Sequence, residues 1–234
     1  MSVVDFPVSV IVPVFNSGQY AAEALESVFD QTVRPLEIIV VDSSNDETRD
    51  ILLGFGSRIR YLYQEKQGIG GARNLGIRSA RGGYLAHLDS DDVWMREKLA
   101  RQAAAFAEDP ALEIVGTLME PFFSPDTPQE LRDRIHCSPE PVPGFSPSAI
   151  VVKKDAFGRV GPYGTHWKVG QELDWFIRAR EAGLMEAVIP EVLVRRRLHG
   201  NNTDLLNRHH GVERVQILKA ALDRKRKTSM GGES

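Results

Sequence analysis

Three aspartates stand within four consecutive positions of the sequence, Asp89, Asp91 and Asp92, with Ser90 between the first two in a D-x-D pattern. They directly follow a strand-like apolar run at residues 84–88. Carboxylates this close repel one another, so they need either a compensating cation or free access to water. Their oxygens are the ligands that Mg²⁺ and Mn²⁺ prefer, often together with a diphosphate. The alternative is a solvated, aspartate-rich turn between a strand and a helix.

Two further polar groups follow runs that are typical of buried strands. The run 8–15 leads to Phe15 and Asn16, and the run 36–41 ends at Asp42. In a parallel sheet the carboxyl ends of the strands share one edge, where ligands bind, so we expect these groups and the aspartates to meet there. Asp42 could accept a hydrogen bond from the N–H of a nucleotide base, or it could only cap the turn that follows it.

A glycine-rich segment at 68–76 is predicted to begin a helix at about 70–80. Arg73 stands where the dinucleotide fingerprint G-x-G-x-x-G has its third glycine, and the segment lies far from the first strand, so that fingerprint is excluded. The free N–H groups of a helix start and the fixed charge of Arg73 could still hold a phosphate. The alternative is an ordinary helix start with a surface arginine.

Glu172 and Asp174 lie at the head of a predicted helix at 171–183. Residues two apart on a helix point in different directions, so the two carboxylates have different surroundings. Glu172 suits the first turn for structural reasons, since the helix dipole favours negative charge there. The functional interpretation is a general base that takes a proton from an incoming hydroxyl. Asp174 remains a rival for that role.

Two basic groups of residues lie near the C-terminus. Three arginines at 195–197 precede His199 and several polar amides. They form either a charged edge strand or a clamp for a diphosphate, with His199 as an additional metal ligand. The run 224–227 is either a solvated tail or a weak contact with an anionic membrane surface.

The pattern of apolar residues predicts an α/β fold. Strand-like and helix-like runs alternate four times before residue 119, which favours a mostly parallel central sheet with helices on both faces. Residues 120–147 contain seven prolines and little periodicity, so we expect a long irregular segment. A helix from 94 to 108 and a last helix from about 204 to 223 are predicted, with a disordered end from residue 225.

The composition is that of an ordinary globular protein, with 42% hydrophobic and 26% charged residues among 234. The net charge of −3 gives no reason to expect a nucleic-acid partner. Cys137 is the single cysteine, which excludes an internal disulfide and fits a reducing compartment. The N-terminus lacks a signal-peptide pattern, and no apolar run approaches the roughly 18 residues that a membrane span requires. We therefore expect a cytoplasmic protein with at most peripheral membrane contact.

Six segments, taken in this order, resemble the family 2 glycosyltransferases with the GT-A fold. They are V-S-V-I-V-P-V-F-N at 8–16, E-I-I-V-V-D-S-S-N-D-E-T at 37–48, G-G-A-R-N-L-G at 70–76, Y-L-A-H-L-D-S-D-D-V-W at 84–94, G-Q-E-L-D-W-F-I-R-A at 170–179 and R-R-L-H-G-N-N-T at 196–203. The resemblance implies a nucleotide-diphosphate sugar donor, in the first place a UDP-sugar, and a Mn²⁺ or Mg²⁺ ion. It also implies inverting transfer of a hexose-like sugar to a glycan, a lipid-linked acceptor or a small molecule.

The resemblance also implies a role for each candidate residue. The residues that would bind the nucleotide-sugar are Pro13, Phe15, Asn16, Asp42, Arg73, Asp89 and Ser90. Asp91 would be the main metal ligand, accompanied by Asp89 and His199. Glu172 would be the catalytic base, with Asp174 as the second candidate.

Two positions depart from the family pattern. The loop after Asp42 is one residue shorter than the usual D-D-G-S-x-D and has Ser43 in place of the second aspartate, and the usual Glu-Asp pair is Gln171-Glu172 here. These departures motivate an alternative function, a non-catalytic nucleotide-sugar-binding protein on the same fold. A nucleotidyltransferase, which would consume a nucleoside triphosphate, is the third interpretation.

The resemblance divides the chain into three parts. Residues 1–119 would form the nucleotide-sugar-binding half, and residues 120–203 the half that binds the acceptor and carries the base. Residues 204–234 would be a C-terminal helix and a disordered tail. The proline-rich segment 120–147 would close over the donor if it moves.

Overall fold

A nine-stranded mixed sheet forms the centre of the computed structural model, which describes residues 6–65, 67–125, 127–135, 140–143, 146–200, 202 and 211–230. The strands are β1 (Val8–Val14), β2 (Glu37–Asp42), β3 (Arg60–Tyr63), β4 (Tyr84–His87), β5 (Val93–Trp94), β6 (Ile114–Phe123), β7 (Val142–Pro143), β8 (Val151–Lys153) and β9 (Glu186–Leu198). Their order is β3-β2-β1-β4-β8-β6-β9-β5, and β7 pairs with β6. The first four strands are parallel, as predicted, whereas β5, β7 and β8 run antiparallel to their neighbours.

Helices cover both faces of the sheet. They are α1 (Gly18–Phe29), α2 (Thr48–Leu53), α3 (Gly68–Ser79), α4 (Lys98–Glu108), α5 (Gln129–Arg134), α6 (Lys154–Val160), α7 (Gln171–Glu181) and α8 (Gly211–Met230). Because successive strand residues point to opposite faces, Val10 and Val12 pack with α1 and α4, whereas Ile11 packs in a second cluster with α3, α6 and α7. The predicted α/β class with helices on both faces is confirmed.

Pro13 lies inside β1 close to its end, where the sequence predicts that the strand stops. The backbone pairing of β1 with β4 ends at Ile11, while its pairing with β2 continues to Val14. The missing N–H of Pro13 therefore falls beyond the end of the β4 ladder, where it removes no inter-strand hydrogen bond.

Two predicted elements in the middle of the chain are wrong in their bounds. The helix predicted from residue 94 begins at Lys98, because Val93 and Trp94 form β5 against β9. A two-residue strand is too short to show periodicity. The segment expected to be irregular from residue 120 continues β6 to Phe123 and contains α5 and β7, although residues 126, 136–139 and 144–145 lie outside the described part.

The C-terminal helix is longer at its end than predicted. α8 continues to Met230, so the expectation of disorder is wrong for residues 225–230. The predicted start near residue 204 and the last four residues lie outside the described part of the chain. Among the helices of that part, none has both the length and the apolar character needed to span a bilayer.

Candidate active site

The aspartate cluster forms a tight turn directly after β4, at the carboxyl end of that strand. The backbone N–H of Asp92 donates to Asp89 O at 3.0 Å, and the N–H of Asp89 donates to Ser148 Oγ at 3.1 Å. The Ser90 hydroxyl lies 2.7 Å from that of Ser17, just before α1. The turn is thus fixed from two sides, one of them by Ser148, which the sequence did not identify.

The three aspartates have different surroundings. Asp92 is 3% exposed, and its Oδ1 accepts a hydrogen bond from the backbone N–H of Arg197. Burial, together with the charges of Asp91 and Asp89, raises the pKa of Asp92 well above its usual value. The side chains of Asp89 and Asp91 are about a quarter exposed, so these two are the carboxylates that a ligand can reach.

Arg73 connects the acidic turn to the head of α7. Its side chain is 3% exposed, its Nη2 donates to Asp89 Oδ1 at 2.6 Å, and its Nη1 lies 3.9 Å from Glu172 Oε2. Burial alone would lower the pKa of Arg73, but the negative charges around it, Asp89 first, raise that pKa above its usual value. Among the described residues, Arg73 Nε and Nη1 have no hydrogen-bond acceptor. A buried guanidinium with unpaired donors is costly, and an anionic ligand oxygen would satisfy it.

The loop before α7 is fixed against α3, the helix that carries Arg73. The Asn74 side chain donates to Tyr163 O and accepts from Tyr163 N, both at 2.9 Å. A side chain at Gly70 would place its Cβ 3.0 Å from Gly164 O, so glycine allows the close approach. Arg73 and Glu172 are therefore brought together by contacts between α3 and the backbone of this loop.

Gln171, one of the departures from the family pattern, has a structural role. It is 3% exposed, and its Nε2 donates to the carbonyls of Trp167 and Lys168 at 2.9 and 3.1 Å. A carboxylate cannot donate these bonds. The glutamine therefore stabilises the turn that leads into α7.

The two candidate bases are separated by the structure. Asp174 Oδ2 accepts a hydrogen bond from Arg178 Nε at 2.9 Å, and Oδ1 lies 3.9 Å from Arg224 in α8. Its side chain is 9% exposed and belongs to the contact between α7 and α8. Glu172 is 29% exposed and faces Arg73. Only Glu172 is brought to the acidic turn, so the geometry disfavours Asp174 as a catalytic residue.

Asp91 contacts the segment that follows β9. His199 Nε2 lies 3.0 Å from Asp91 Oδ2, and Asn202 Nδ2 donates to the same oxygen at 3.1 Å. Asn202 also accepts from the backbone N–H of His199 at 2.7 Å, which fixes the histidine beside the carboxylate. His199 is thus placed with Asp91, and Asn202 is a second residue that the sequence did not assign.

The arginines of β9 do not form the predicted diphosphate clamp as a group. Arg197 has a side chain that is 4% exposed, donates to Asp91 O at 3.0 Å and pairs with Glu23. Its guanidinium also lies over the rings of Tyr20 and Phe122. The geometry does not favour the clamp role for Arg197, because its Nε and Nη2 already hold the acidic turn against α1.

Phe15 and Asn16 lie at the end of β1, at the same edge as the acidic turn. Phe15 is 45% exposed, whereas Pro13 is buried within the strand. Asn16 has a positive φ of 48° and exchanges two amide hydrogen bonds with Asn45. An exposed aromatic ring beside fixed polar backbone suits a nucleotide base.

Asp42 is completely buried at the end of β2. Its Oδ1 accepts from Ser44 N at 2.8 Å, and its Oδ2 accepts from the Tyr61 hydroxyl at 2.7 Å. Burial and the neighbouring Asp42 raise the pKa of Tyr61 to about 12. The two hydrogen bonds that Asp42 accepts match the alternative in which it caps the turn after β2. The geometry does not favour direct contact between Asp42 and a nucleotide base.

The residues around Asp91 suit a divalent cation that is shared with a substrate. In the described part of the chain, no group of three or more His, Cys, Asp or Glu side chains forms a metal site by itself. Mg²⁺ sites in nucleotide enzymes use one or two carboxylates and complete their coordination with phosphate oxygens and water. Asp91, with His199 beside it, fits this description.

Comparisons with known proteins define the family. The family model described as Glycosyl transferase family 2 matches residues 9–161, and the chain belongs to this family. An uncharacterized glycosyltransferase of Rickettsia prowazekii is 46% identical over 96 residues, which are 41% of this chain and 30% of that protein. Glycosyltransferase GlyG of Streptococcus pneumoniae is 42% identical over 91 residues, 37% of this chain and 30% of GlyG. The matched segment thus covers about a third of these curated relatives.

Solved structures share the fold. S. aureus TarS residues 1–349 in complex with UDP-GlcNAc superposes with a TM-score of 0.67 at 20% sequence identity, covering 84% of this chain and 60% of TarS 1–349. The same fragment in complex with UDP superposes with a TM-score of 0.65 at 21% sequence identity, covering 82% of this chain and 60% of the fragment. The predicted GT-A fold is therefore confirmed.

Proposed function

We propose that this chain transfers a sugar from a nucleotide-diphosphate donor to an acceptor hydroxyl, with inversion at the anomeric carbon. The observation that carries the proposal is the buried Arg73, which contacts Asp89 and lies near Glu172, next to the Asp91–His199 pair. A guanidinium, three carboxylates and an imidazole thus lie within one cluster at the carboxyl ends of the strands, where ligands bind in such sheets. The UDP-GlcNAc complex of TarS supports a UDP-sugar as donor.

The donor would lie across the rim formed by the ends of β1 and β4. Phe15, Asn16 and Ser90 would contact the nucleoside, and the Arg73 donors that have no acceptor among the described residues would contact an anionic oxygen. Asp91 and His199 would hold a Mn²⁺ or Mg²⁺ ion, whose chemistry would be to neutralise negative charge on the departing diphosphate. Residues 1–119 would therefore bind the donor, and residues 120–203 would contribute the acceptor side.

Glu172 would act as the base. In the proposed step the acceptor oxygen forms a bond to the anomeric carbon while the bond from that carbon to the diphosphate breaks. The acceptor proton passes to the Glu172 carboxylate, and the nucleoside diphosphate leaves with the electron pair. Arg73 would position Glu172 relative to the donor, since it contacts groups on both sides.

Donor binding is tested by thermal shift with UDP and a panel of nucleotide sugars, each with and without Mn²⁺. We expect a UDP-sugar to raise the melting temperature further when Mn²⁺ is present, and Asp91→Asn to remove that Mn²⁺-dependent part. No shift with any nucleotide sugar would contradict the proposal.

The base is tested by nucleotide release from the donor that binds, with water or a supplied alcohol as acceptor. We expect Glu172→Gln to lower turnover by about 10³-fold while donor binding remains. Asp174→Asn is the matched control, since it makes the same change on the same helix, and it should keep turnover. Binding without release of nucleotide by the unmodified protein would indicate a non-catalytic binding protein. Pyrophosphate release from a nucleoside triphosphate would indicate a nucleotidyltransferase.

A further inference from the structure

The last helix, α8, presents an unusual set of exposed apolar side chains. Its buried contact is Ile217, which packs against Gly170, while Glu213 Oε2 accepts the backbone N–H groups of Lys168 and Val169. On its other side four aliphatic residues are between 51% and 65% exposed, and we call them the α8 stripe: Val212, Val215, Leu218 and Leu222. Their spacing of three, three and four residues puts them on one face of the helix.

Basic residues lie on both sides of the three aliphatic residues of the α8 stripe that follow Val212. Arg214 and Lys225 are exposed along one side of these three, and Lys219 and Arg226 are exposed along the other, between them and Val212. Asp223 is the one acidic residue among the exposed side chains of α8 that the structure describes. An aliphatic stripe between two rows of cations is typical of a helix that lies in the interface of an anionic membrane.

We propose that α8 docks the protein on an anionic phospholipid surface, with the α8 stripe in the acyl boundary and the basic residues at the headgroups. The charge pattern favours this partner over a second copy of the chain. Pairing two α8 stripes would bring the four exposed cations of each copy together, and Asp223, which lies 3.9 Å from Arg226, is the one exposed carboxylate that the described part of α8 would add beside them. Like charges in contact disfavour such an interface.

Docking on a membrane would bring the site close to a lipid-linked acceptor, and this consequence rests on the proposed function. α8 runs alongside α7, since its start contacts residues 168–170 and Arg224 pairs with Glu181 near the end of α7. The first turn of α8 is therefore next to the head of α7, which carries Glu172. A docked α8 would hold that end of the site close to the lipid surface, where a lipid-linked acceptor is presented.

Vesicle co-sedimentation tests the docking without donor or acceptor, so its outcome is independent of the proposed function. We expect binding to vesicles of mixed phosphatidylglycerol and phosphatidylcholine, and at least roughly tenfold weaker binding to phosphatidylcholine alone. High salt should weaken the binding to the anionic vesicles, because it screens the basic residues.

Variants test the two components of the surface separately. Leu218→Glu with Leu222→Glu should weaken anionic-vesicle binding by about tenfold or more, since two aliphatic side chains no longer enter the acyl region. The matched control is Leu53→Glu, a leucine of similar exposure on α2, which lies on the opposite face of the sheet. Lys219→Gln with Arg226→Gln should weaken binding by roughly tenfold, and the control pair Arg34→Gln with Arg49→Gln should not.

Three results would overturn the proposal. The first is absence of binding to anionic vesicles at low salt. The second is binding that the two leucine substitutions leave unchanged. The third is a dimer in light scattering that the same leucine substitutions dissociate, because the α8 stripe would then be a contact between copies of the chain.

Discussion

Two cations are almost completely buried on opposite faces of the sheet, Arg73 in α3 and Lys98 in α4. Arg73 contacts the carboxylate of Asp89 and lies near that of Glu172, and its pKa is raised. Its charge is therefore stabilised by the fold, although the guanidinium has almost no contact with water.

Lys98 has different surroundings. It donates to Gln102 Oε1 at 2.9 Å and lies 4.0 Å from the centroid of the Trp94 ring. Within the described part of the chain no carboxylate lies at ion-pair distance from it, and burial lowers its pKa well below the usual value. Burial of a charge thus does not identify a functional site. Arg73 is a candidate because acids from two other elements converge on it.

The largest effect that this comparison predicts is for Arg73→Met. The substitution leaves Asp89 and Glu172 near each other without a cation, and we expect the free energy of unfolding to fall by about 3 kcal/mol. That figure is at the low end for a buried pair because both carboxylates are partly exposed. Urea denaturation measures it.

Arg224→Met is the control for this loss. Arg224 pairs with Glu181 at 2.8 Å, but both side chains are about a third exposed, so the change should stay below about 1 kcal/mol. Equal losses in the two variants would show that Arg73 is an ordinary ion-pair partner rather than the centre of the cluster.

Lys98→Met should change the free energy of unfolding in the opposite direction from Arg73→Met. Replacing a buried amine that has no carboxylate partner with an apolar side chain of similar length should raise the free energy of unfolding at neutral pH by about 1 kcal/mol, because the gain is partly offset when Gln102 Oε1 loses its donor. Gln102 keeps its hydrogen bonds to Val115 O and Ala149 O, so the variant leaves its amide nitrogen satisfied. A loss of stability at neutral pH would contradict the interpretation that the buried Lys98 destabilises the fold.

The difference in unfolding free energy between Lys98→Met and the unmodified protein should depend on pH, because the pKa of Lys98 is lowered in the folded chain. Because the folded chain releases this proton more readily, the unfolded chain binds more protons below the usual lysine pKa of 10.5, and stability rises with pH up to that value. The advantage of Lys98→Met over the unmodified protein should therefore shrink from neutral pH towards about pH 10. Parallel stability curves, measured by denaturation at several pH values, would refute this.

The smallest predicted effect is for Gln171→Glu, which restores the residue of the family pattern. The carboxylate cannot donate to the carbonyls of Trp167 and Lys168, a loss of about 1–3 kcal/mol, while the start of α7 favours a negative charge by up to about 1 kcal/mol. The net loss should be about 1 kcal/mol. Gln216→Glu, at an exposed position of α8, should change the unfolding free energy by less than about 0.5 kcal/mol.

Local sequence patterns predicted the order of most elements and the residues that end the strands. Apolar runs and glycines carry this information because periodicity and turn preference act over a few neighbouring residues. The patterns also found Asp89, Asp91, Arg73, Glu172 and His199, which the structure gathers at one rim of the sheet.

Only the tertiary structure decided which of the candidates meet. Asp91 and Asn202 are 111 positions apart, and Asn74 and Tyr163 are 89 apart, so no local pattern links them. Asp92, Asp174 and Arg197 look as available in the sequence as their neighbours, yet each is buried and already paired. The sequence therefore determined which charges the protein has, and the packing of α3, α7 and β9 around the β4 turn determined which of them remain open to a ligand.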